Sequence, residues 1–371
     1  MHGRREKWSP NTKNQETAAD ESPWPALPWT VRLQLFALDT AFDLSQRRDG
    51  TINHWLFSLG DRQTPVRPRP DASGVRSADV NVDASRNLWA RVYSRAAGST
   101  PIPVIVYFRD GGLALLSAAS TLVDGLCRRF CRELGAVVVS VNYCLAPEHR
   151  YPAAWDDCVC WNILLIVDVL RYLASSSTGL SAGAGDITVP VDLSRCFLAG
   201  DSAGGNIVHH VTQRWASSPR ANSPVRLSSI ILLQPCFGGE ERTEAEMRLE
   251  GVAPVLNMRR TDWSWRAFLP EGADRNHPAA HVTGEPGTEP ELAEAFPPAM
   301  VAADDMDPLQ HWQRRYGAML RRKGKDVHVA EFPGAVHAFY CFPELPDSTR
   351  LLEEIKAFIE RNVPIHHSAA L

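Results

Sequence analysis

The stretch CFLAGDSAGGN, Cys196 to Asn206, decides the fold of this chain. Residues 200–204 within it, GDSAG, fit the pattern G-x-S-x-G. The residues before them form an apolar run, and Ala203 to Trp215 has apolar positions at helical spacing. A serine between a strand and a helix, with small neighbours that avoid a collision across the turn, is typical of an exposed nucleophile above an α/β sheet. The stretch therefore predicts an α/β fold and a reactive Ser202.

On both sides of this stretch, apolar β-branched runs alternate with amphipathic segments. Strands are predicted at Ala78–Val82, Leu88–Tyr93, Pro103–Phe108, Ala136–Tyr143, Cys196–Asp201, Ser228–Gln234, Ala299–Ala303 and Val327–Phe332. Helices are predicted at Asp124–Leu134, Trp155–Leu173, Ala203–Trp215, Pro308–Arg322 and Ser348–Arg361. Because buried strands that alternate with helices form a parallel sheet covered on both faces, we expect a mostly parallel, doubly wound sheet.

The length of 371 residues would allow two or three domains at about 150 residues each. The predicted strands nevertheless run through most of the chain, so we expect one α/β domain at 28–365 after a disordered N-terminal tail at 1–27. Within that domain, 28–75 is predicted to form a lid and linker. The insertion 237–298 shows no convincing buried strand and is predicted to cap the sheet edge where ligands bind in such folds.

The lid prediction depends on one amphipathic segment near the N-terminus. Trp29, Leu33 and Phe36 begin an apolar stripe that continues to Leu44 at nearly helical spacing. Such a helix could simply pack on the main body of the protein, or it could be a mobile cover over a pocket. The sequence leaves both alternatives open.

The charge balance excludes several classes of partner. There are 39 basic and 43 acidic residues, net −4, which gives neither a nucleic-acid footprint nor a polybasic membrane patch.

No apolar run reaches 18 residues, and the N-terminus lacks a secretory signal. The 8 cysteines include no C-x-x-C pair and are expected to be reduced. We expect a soluble cytoplasmic protein, with the nucleus as a further location, and no nucleic-acid or membrane partner, metal or cofactor.

A serine nucleophile needs a base, and on this scaffold an acid and a histidine follow it at the ends of later strands. Asp307 comes soon after the predicted strand Ala299–Ala303, and His337 soon after Val327–Phe332. The order Ser202, Asp307, His337 agrees with that rule. We predict that Ser202 attacks an acyl carbon, His337 takes and returns the proton, and Asp307 orients the imidazole.

Other titratable residues compete for these roles. Asp304 and Asp305 are expected to form a solvated acidic turn beside the candidate acid. His209 and His210 lie on the helix after the nucleophile and are expected to be packed or on the surface. His311 lies about one helical turn beyond the candidate acid and could touch the site.

Several motifs together resemble the plant carboxylesterases of the hormone-sensitive lipase group, within the α/β-hydrolase fold, a branch that also contains the gibberellin receptors. The resemblance implies an N-terminal lid and ester substrates. It rests on GDSAGGN (200–206), NYCLAPEHRYPAAWDD (142–157), MDPLQHWQRRY (306–316), FPGAVHAF (332–339), RRDGTINHWL (47–56), RTEAEMRLEG (242–251) and RRTDWSWRAFLPEGADRNHPAA (259–280).

One loop departs from the family pattern. The family has His-Gly-Gly-Gly or His-Gly-Gly-Ser after the strand matched here by Pro103–Phe108, whereas this chain has Arg109, Asp110, Gly111 and Gly112. The resemblance implies an oxyanion hole made by the backbone N–H groups of Gly111 and Gly112, together with that of Ala203. A carboxylate at position 110 would repel a developing oxyanion. Alternatively, Arg109 pairs with Asp110 and holds the loop.

The expected function is that of a serine carboxylesterase acting on a small, largely apolar ester through an acyl-enzyme. The gibberellin receptors have an aliphatic residue where this chain has His337, so the histidine favours catalysis. The alternatives are a receptor-like protein that binds a small molecule, and a lyase or weakly active pseudoenzyme on the same scaffold. The physiological ester and the oligomeric state are left open.

Overall fold

The computed structural model of the protein describes residues 27–83, 88–95, 100–151, 189–218, 225–285 and 287–362. Nearly all of the predicted tail and the predicted helix Trp155–Leu173 lie outside these ranges. The strands are β1 Val75–Asp83, β2 Leu88–Arg95, β3 Ile102–Phe108, β4 Val137–Asn142, β5 Val191–Asp201, β6 Leu227–Leu233, β7 Ala299–Ala303 and β8 Val327–Glu331. The helices are α1 Trp29–Ser45, α2 His54–Gly60, α3 Thr121–Glu133, α4 Ala203–Ser217, α5 Glu244–Arg248, α6 Met258–Phe268, α7 Gln310–Arg322 and α8 Pro346–Arg361, with a 3-10 helix at Phe339–Cys341.

The strands form one sheet in the order β1-β2-β4-β3-β5-β6-β7-β8. β1 and β2 pair antiparallel, as do β2 and β4, and every later pairing is parallel. The α/β-hydrolase fold predicted from the sequence is thereby confirmed, and each predicted strand overlaps an observed one. The order reverses at β3, because β4 lies on one side of it and β5 on the other. The loops after β3 and β5 therefore leave a crevice at their carboxyl ends, which is where open α/β sheets bind ligands.

Both faces of the sheet are buried. Along β3, Val104 and Val106 belong to one apolar core, whereas Ile105 and Tyr107 belong to the core on the opposite face. All four side chains are at most 1% exposed. Burying an aliphatic side chain of this size contributes about 1.5–3 kcal/mol. The continuous apolar strands thus fix the sheet that positions the loops at its edge.

The helix α1 forms where the lid helix was predicted, but it buries a different face. Val31 and Leu35 pack into the core, whereas Leu33 and Phe36 of the predicted stripe are 58% and 69% exposed. The segment is apolar on two sides, and tertiary contacts select the side of Val31. None of the described helices is both long and apolar enough to cross a membrane.

Candidate active site

Ser202 lies between β5 and α4 in a strained conformation, with φ 48° and ψ −114°. Its N–H donates to Leu233 O at 2.8 Å, which ties the turn to β6. Small neighbours are required here: a Cβ on Gly200 would lie 2.4 Å from Gly204 O, and one on Gly204 would lie 1.9 Å from Phe108 O. Strain of this kind persists only where the surrounding structure enforces it, and it is common at reactive residues.

Asp307 and His337 are brought together by the loops that follow β7 and β8. Asp307 Oδ2 lies 2.8 Å from His337 Nδ1, and both side chains are fully buried. The carboxylate also accepts from the N–H of Leu309 at 2.8 Å and from Gln313 Nε2 at 2.7 Å. His337 Nε2 has no hydrogen-bond partner among the described residues, Ser202 Oγ included. The ring is therefore oriented by Asp307 and keeps one nitrogen available.

The charges around His337 change its basicity. Burial would lower the pKa of His337, but the nearby carboxylate of Asp307 raises it, and Asp110 and Asp201 raise it further. The pKa of this imidazole therefore lies above its ordinary value. Burial in turn raises the pKa of Asp201 to about 7, with the charge of Asp110 adding to the effect. Tyr107 Oη donates to Asp201 at 2.5 Å.

Gln234 connects two loops of the site, a role that no motif of the sequence predicts. Its Nε2 donates to Asp304 and to Val336 O, and its Oε1 accepts the N–H of Ala338 at 2.7 Å. The sequence signal that could have identified Gln234 is a polar residue directly after the apolar strand β6. Asp304 is 1% exposed, so its assignment to a solvated turn was wrong. Burial raises the pKa of Asp304 well above its usual range, whereas Asp305 is exposed as expected.

In the loop after β3, the carboxylate of Asp110 bonds the backbone of the two residues that follow it. Asp110 Oδ1 accepts from the N–H of Gly111 at 2.5 Å and from that of Gly112 at 3.3 Å. Gly111 has φ 128°, and a Cβ on it would lie 2.0 Å from Leu115 O. Gly112 has φ 57°. Because L side chains rarely adopt such angles, both glycines are needed to hold these N–H groups in place.

Arg109 does not pair with Asp110. Its side chain is fully buried, its Nη2 donates to Leu116 O at 2.8 Å, and its guanidinium stacks 4.1 Å from the ring centre of Tyr143. Tyr143 Oη donates in return to Arg109 O. The described residues contain no ion pair between Arg109 and Asp110, so that alternative is wrong. Arg109 instead supports the loop through Leu116 and Tyr143 and makes no ion pair with the carboxylate.

A pocket of about 510 Å³, counting its open mouth, lies over Ser202. Its walls come from three parts of the chain: the loop after β3, α1, and the insertion that includes α6. A second pocket, of about 480 Å³ counting its open mouth, also borders Asp110 and is lined mostly by apolar side chains. Asp110, Phe42 and Val255 line both cavities. Asp110 therefore borders two mostly apolar spaces at the edge of the sheet.

The other candidate histidines, all of them described by the structure, make no hydrogen bond with Asp307. His209 is buried, its Nδ1 lies 3.0 Å from Tyr316 Oη, and burial lowers its pKa to about 4. The ring of His210 packs against that of His209. His311 Nδ1 accepts the N–H of Ala245, so its ring faces α5. No group of His, Cys, Asp or Glu in the described part of the chain could hold a metal ion.

A family model described as the alpha/beta hydrolase fold matches residues 105–341. The gibberellin receptor GID1C of Arabidopsis thaliana is 41% identical over 86% of this chain and 90% of its own length. Carboxylesterase 20 of the same plant is 32% identical over 84% and 93%. The esterase of Pyrobaculum calidifontis has a TM-score of 0.65 at 24% identity, covering 91% of this chain and 98% of its own. The chain thus belongs to the α/β-hydrolase family, in the plant carboxylesterase group that includes the gibberellin receptors.

Proposed function

We propose that this protein is a serine carboxylesterase that hydrolyses small, largely apolar carboxylic esters. Ser202 is the nucleophile, His337 the general base and Asp307 the residue that orients it. The observation that carries the proposal is the 2.8 Å contact between Asp307 Oδ2 and His337 Nδ1, at the sheet edge where Ser202 leaves β5. Carboxylic ester hydrolysis is also the activity named for several of its relatives.

The proposed chemistry follows from these groups. Ser202 Oγ attacks the acyl carbon while His337 Nε2 takes its proton, and Asp307 stabilises the imidazolium that forms. The carbonyl oxygen, now negative, binds the backbone N–H groups of Gly111, Gly112 and Ala203. The intermediate then expels the alcohol, which takes the proton from Nε2. A water molecule activated by the same nitrogen releases the acid and restores Ser202. Since such hydrogen bonds are often long in the free enzyme, the missing bond between Ser202 and His337 is compatible with these steps.

The pocket walls support a small apolar substrate and the proposed division of the chain. We assign 28–365 to one domain, with 28–75 as lid and linker and 237–298 as cap. Phe42 and Gln46 of α1 line the pocket over Ser202, as do Arg260 and Trp265 of the insertion. Both segments therefore contribute to substrate choice.

The test is hydrolysis of p-nitrophenyl acetate and butyrate by the full chain. Ser202→Ala and His337→Ala should each lose about 10³-fold or more in kcat, because the nucleophile or its base is gone. The control is Glu353→Gln, which changes an exposed carboxylate on α8. Equal rates for the wild-type protein and Ser202→Ala would contradict the proposal. A fluorophosphonate that labels the wild-type protein and not Ser202→Ala would independently support an activated serine.

A second candidate function is the binding of a small molecule without turnover. Relatives named gibberellin receptors are up to 41% identical to this chain. In addition, α1 is fastened over the pocket, since the guanidinium of Arg260 contacts the carboxylates of both Asp39 and Asp43. Calorimetric titration of Ser202→Ala with a gibberellin distinguishes the two functions, because saturable heat would require binding that does not depend on catalysis.

A further inference from the structure

The N–H groups that the proposed reaction needs are already occupied by a carboxylate of the chain itself. Asp110 Oδ1 accepts from both Gly111 and Gly112. These are the only hydrogen bonds that the Asp110 carboxylate makes within the described part of the chain. A tetrahedral oxyanion bound to the same two groups would have to displace Asp110 Oδ1 or share them with it.

Within the described part of the chain, no arginine or lysine side chain pairs with this carboxylate, and His337 is the titratable base whose pKa it raises. Arg109 is turned toward Leu116 O and the ring of Tyr143. Arg260, which lines the same pocket, is engaged by the carboxylates of Asp39 and Asp43. Two like charges a few ångströms apart repel each other strongly in a partly desolvated site. The pocket therefore disfavours a second negative charge next to Asp110 and favours a positive one.

We propose that Asp110 is a specificity-determining residue. Its carboxylate occupies the N–H groups of Gly111 and Gly112 that would bind the oxyanion. A cationic group of the substrate attracts the carboxylate and thereby frees these two N–H groups. The inference rests on the proposed esterase function and names the substrate class of that site, an ester that carries a positive charge close to the scissile carbonyl. With such a substrate, the ion pair to Asp110 forms as the two N–H groups become free. A neutral ester leaves the carboxylate on its donors and reacts slowly.

The experiment compares two thioesters of nearly the same shape, acetylthiocholine and 3,3-dimethylbutyl thioacetate, which differ in one positive charge. The wild-type protein should show a kcat/KM about tenfold higher for the cation, as expected for one partly screened ion pair. Asp110→Gly should remove this preference and raise the rate on the neutral thioester by about 10²-fold, the usual effect of an oxyanion donor. Unchanged rates and preference in Asp110→Gly would overturn the inference.

Asp110→Asn is the matched variant if the glycine variant does not fold. Its amide oxygen can still accept from Gly111 and Gly112, but it carries no charge. We expect the cation preference to disappear, and the rate on the neutral thioester to rise less than in Asp110→Gly because the amide oxygen still occupies the two donors. A cation preference that survives in Asp110→Asn would refute the role of the charge.

A binding measurement gives a readout without turnover. Calorimetry with butyrate should show binding to Asp110→Gly at least about tenfold tighter than to the wild-type protein, because the anion site is then empty. Equal binding contradicts the inference. The proposed function fails separately, if Ser202→Ala turns over these thioesters as fast as the wild-type protein. When turnover depends on Ser202 and Asp110→Gly changes nothing, only the present inference fails.

Discussion

Gln313 Nε2 donates to Asp307 Oδ2 at 2.7 Å, and the same oxygen atom lies 2.8 Å from His337 Nδ1. Gln313 lies on α7, one turn and a half beyond Asp307, and its side chain is fully buried. The amide therefore fixes the carboxylate that orients the proposed base. Gln313 acts through Asp307 and is a positioning residue.

We expect Gln313→Leu, which keeps a similar volume, to lower kcat about tenfold with little change in KM. The reason is that the carboxylate of Asp307 loses a donor and can rotate away from His337. Leaving a buried acceptor without its partner should also cost about 1–3 kcal/mol of the free energy of unfolding. Steady-state kinetics on p-nitrophenyl butyrate and urea denaturation measure the two effects. A rise in KM at constant kcat would show that Gln313 supports substrate binding instead.

The pH dependence of turnover follows from the pKa of His337, which the carboxylates of Asp307, Asp110 and Asp201 raise against the effect of burial. A base must be neutral to accept a proton, so kcat/KM should fall as the pH drops through a value above the ordinary pKa of about 6.5. Asp110→Asn removes one negative charge and should shift this acid limb to lower pH. The measurement is a pH–rate profile of both proteins. An acid limb that stays fixed, or moves to higher pH, would contradict the assignment of His337 as the base.

The sequence predicts the sheet well because its strands carry their own signal. The apolar run at Ile102–Phe108 is buried on both faces, and such runs differ clearly from amphipathic helices. Ser202 can be predicted as the nucleophile for a related reason, since only small residues fit the turn around it. These features depend on residues that are neighbours along the chain, so they can be predicted from the sequence without the tertiary contacts.

Features that depend on distant partners could not be predicted in the same way. The buried state of Asp304 comes from Gln234, some seventy residues earlier in the chain. The face that α1 buries is decided by the sheet core and by Arg260, more than two hundred residues away. Likewise, the bond of Asp110 to its own backbone depends on the loop angles of Gly111, which the letters RDGG do not fix.

The close packing of α4 against β3 predicts a large difference between two Gly→Ala changes. In Gly204→Ala the new methyl carbon would lie 1.9 Å from Phe108 O, so the turn at Ser202 must shift. We expect the loss of turnover and a destabilisation of about 3 kcal/mol or more, typical of overpacking in a rigid site.

Gly125→Ala on α3 is the control, because its Cβ would meet nothing within 4 Å. There the change should stabilise by about 0.5–1 kcal/mol through helix propensity. Thermal denaturation and esterase assays on both variants test the contrast.

The helix α1 is attached to the insertion through Arg260. Arg260 is 7% exposed and bonds Asp39 and Asp43, both of which keep partial contact with water. Breaking these pairs in Arg260→Gln should cost about 1–2 kcal/mol, less than for a fully buried pair because solvent screens the carboxylates. Since Phe42 on α1 lines the pocket, we expect KM to rise more than kcat falls.

Hydrogen exchange should locate this effect in the helix. In Arg260→Gln the amides of α1 should exchange at least about tenfold faster, while those of β3 keep their protection. The control is Arg132→Gln, because Arg132 pairs with Glu133 in solvent and such pairs contribute little. If α1 exchanges as slowly in Arg260→Gln as in the wild-type protein, the apolar contacts of Val31 and Leu35 hold the helix without the ion pairs. The proposed lid would then be a fixed wall of the pocket rather than a segment that opens.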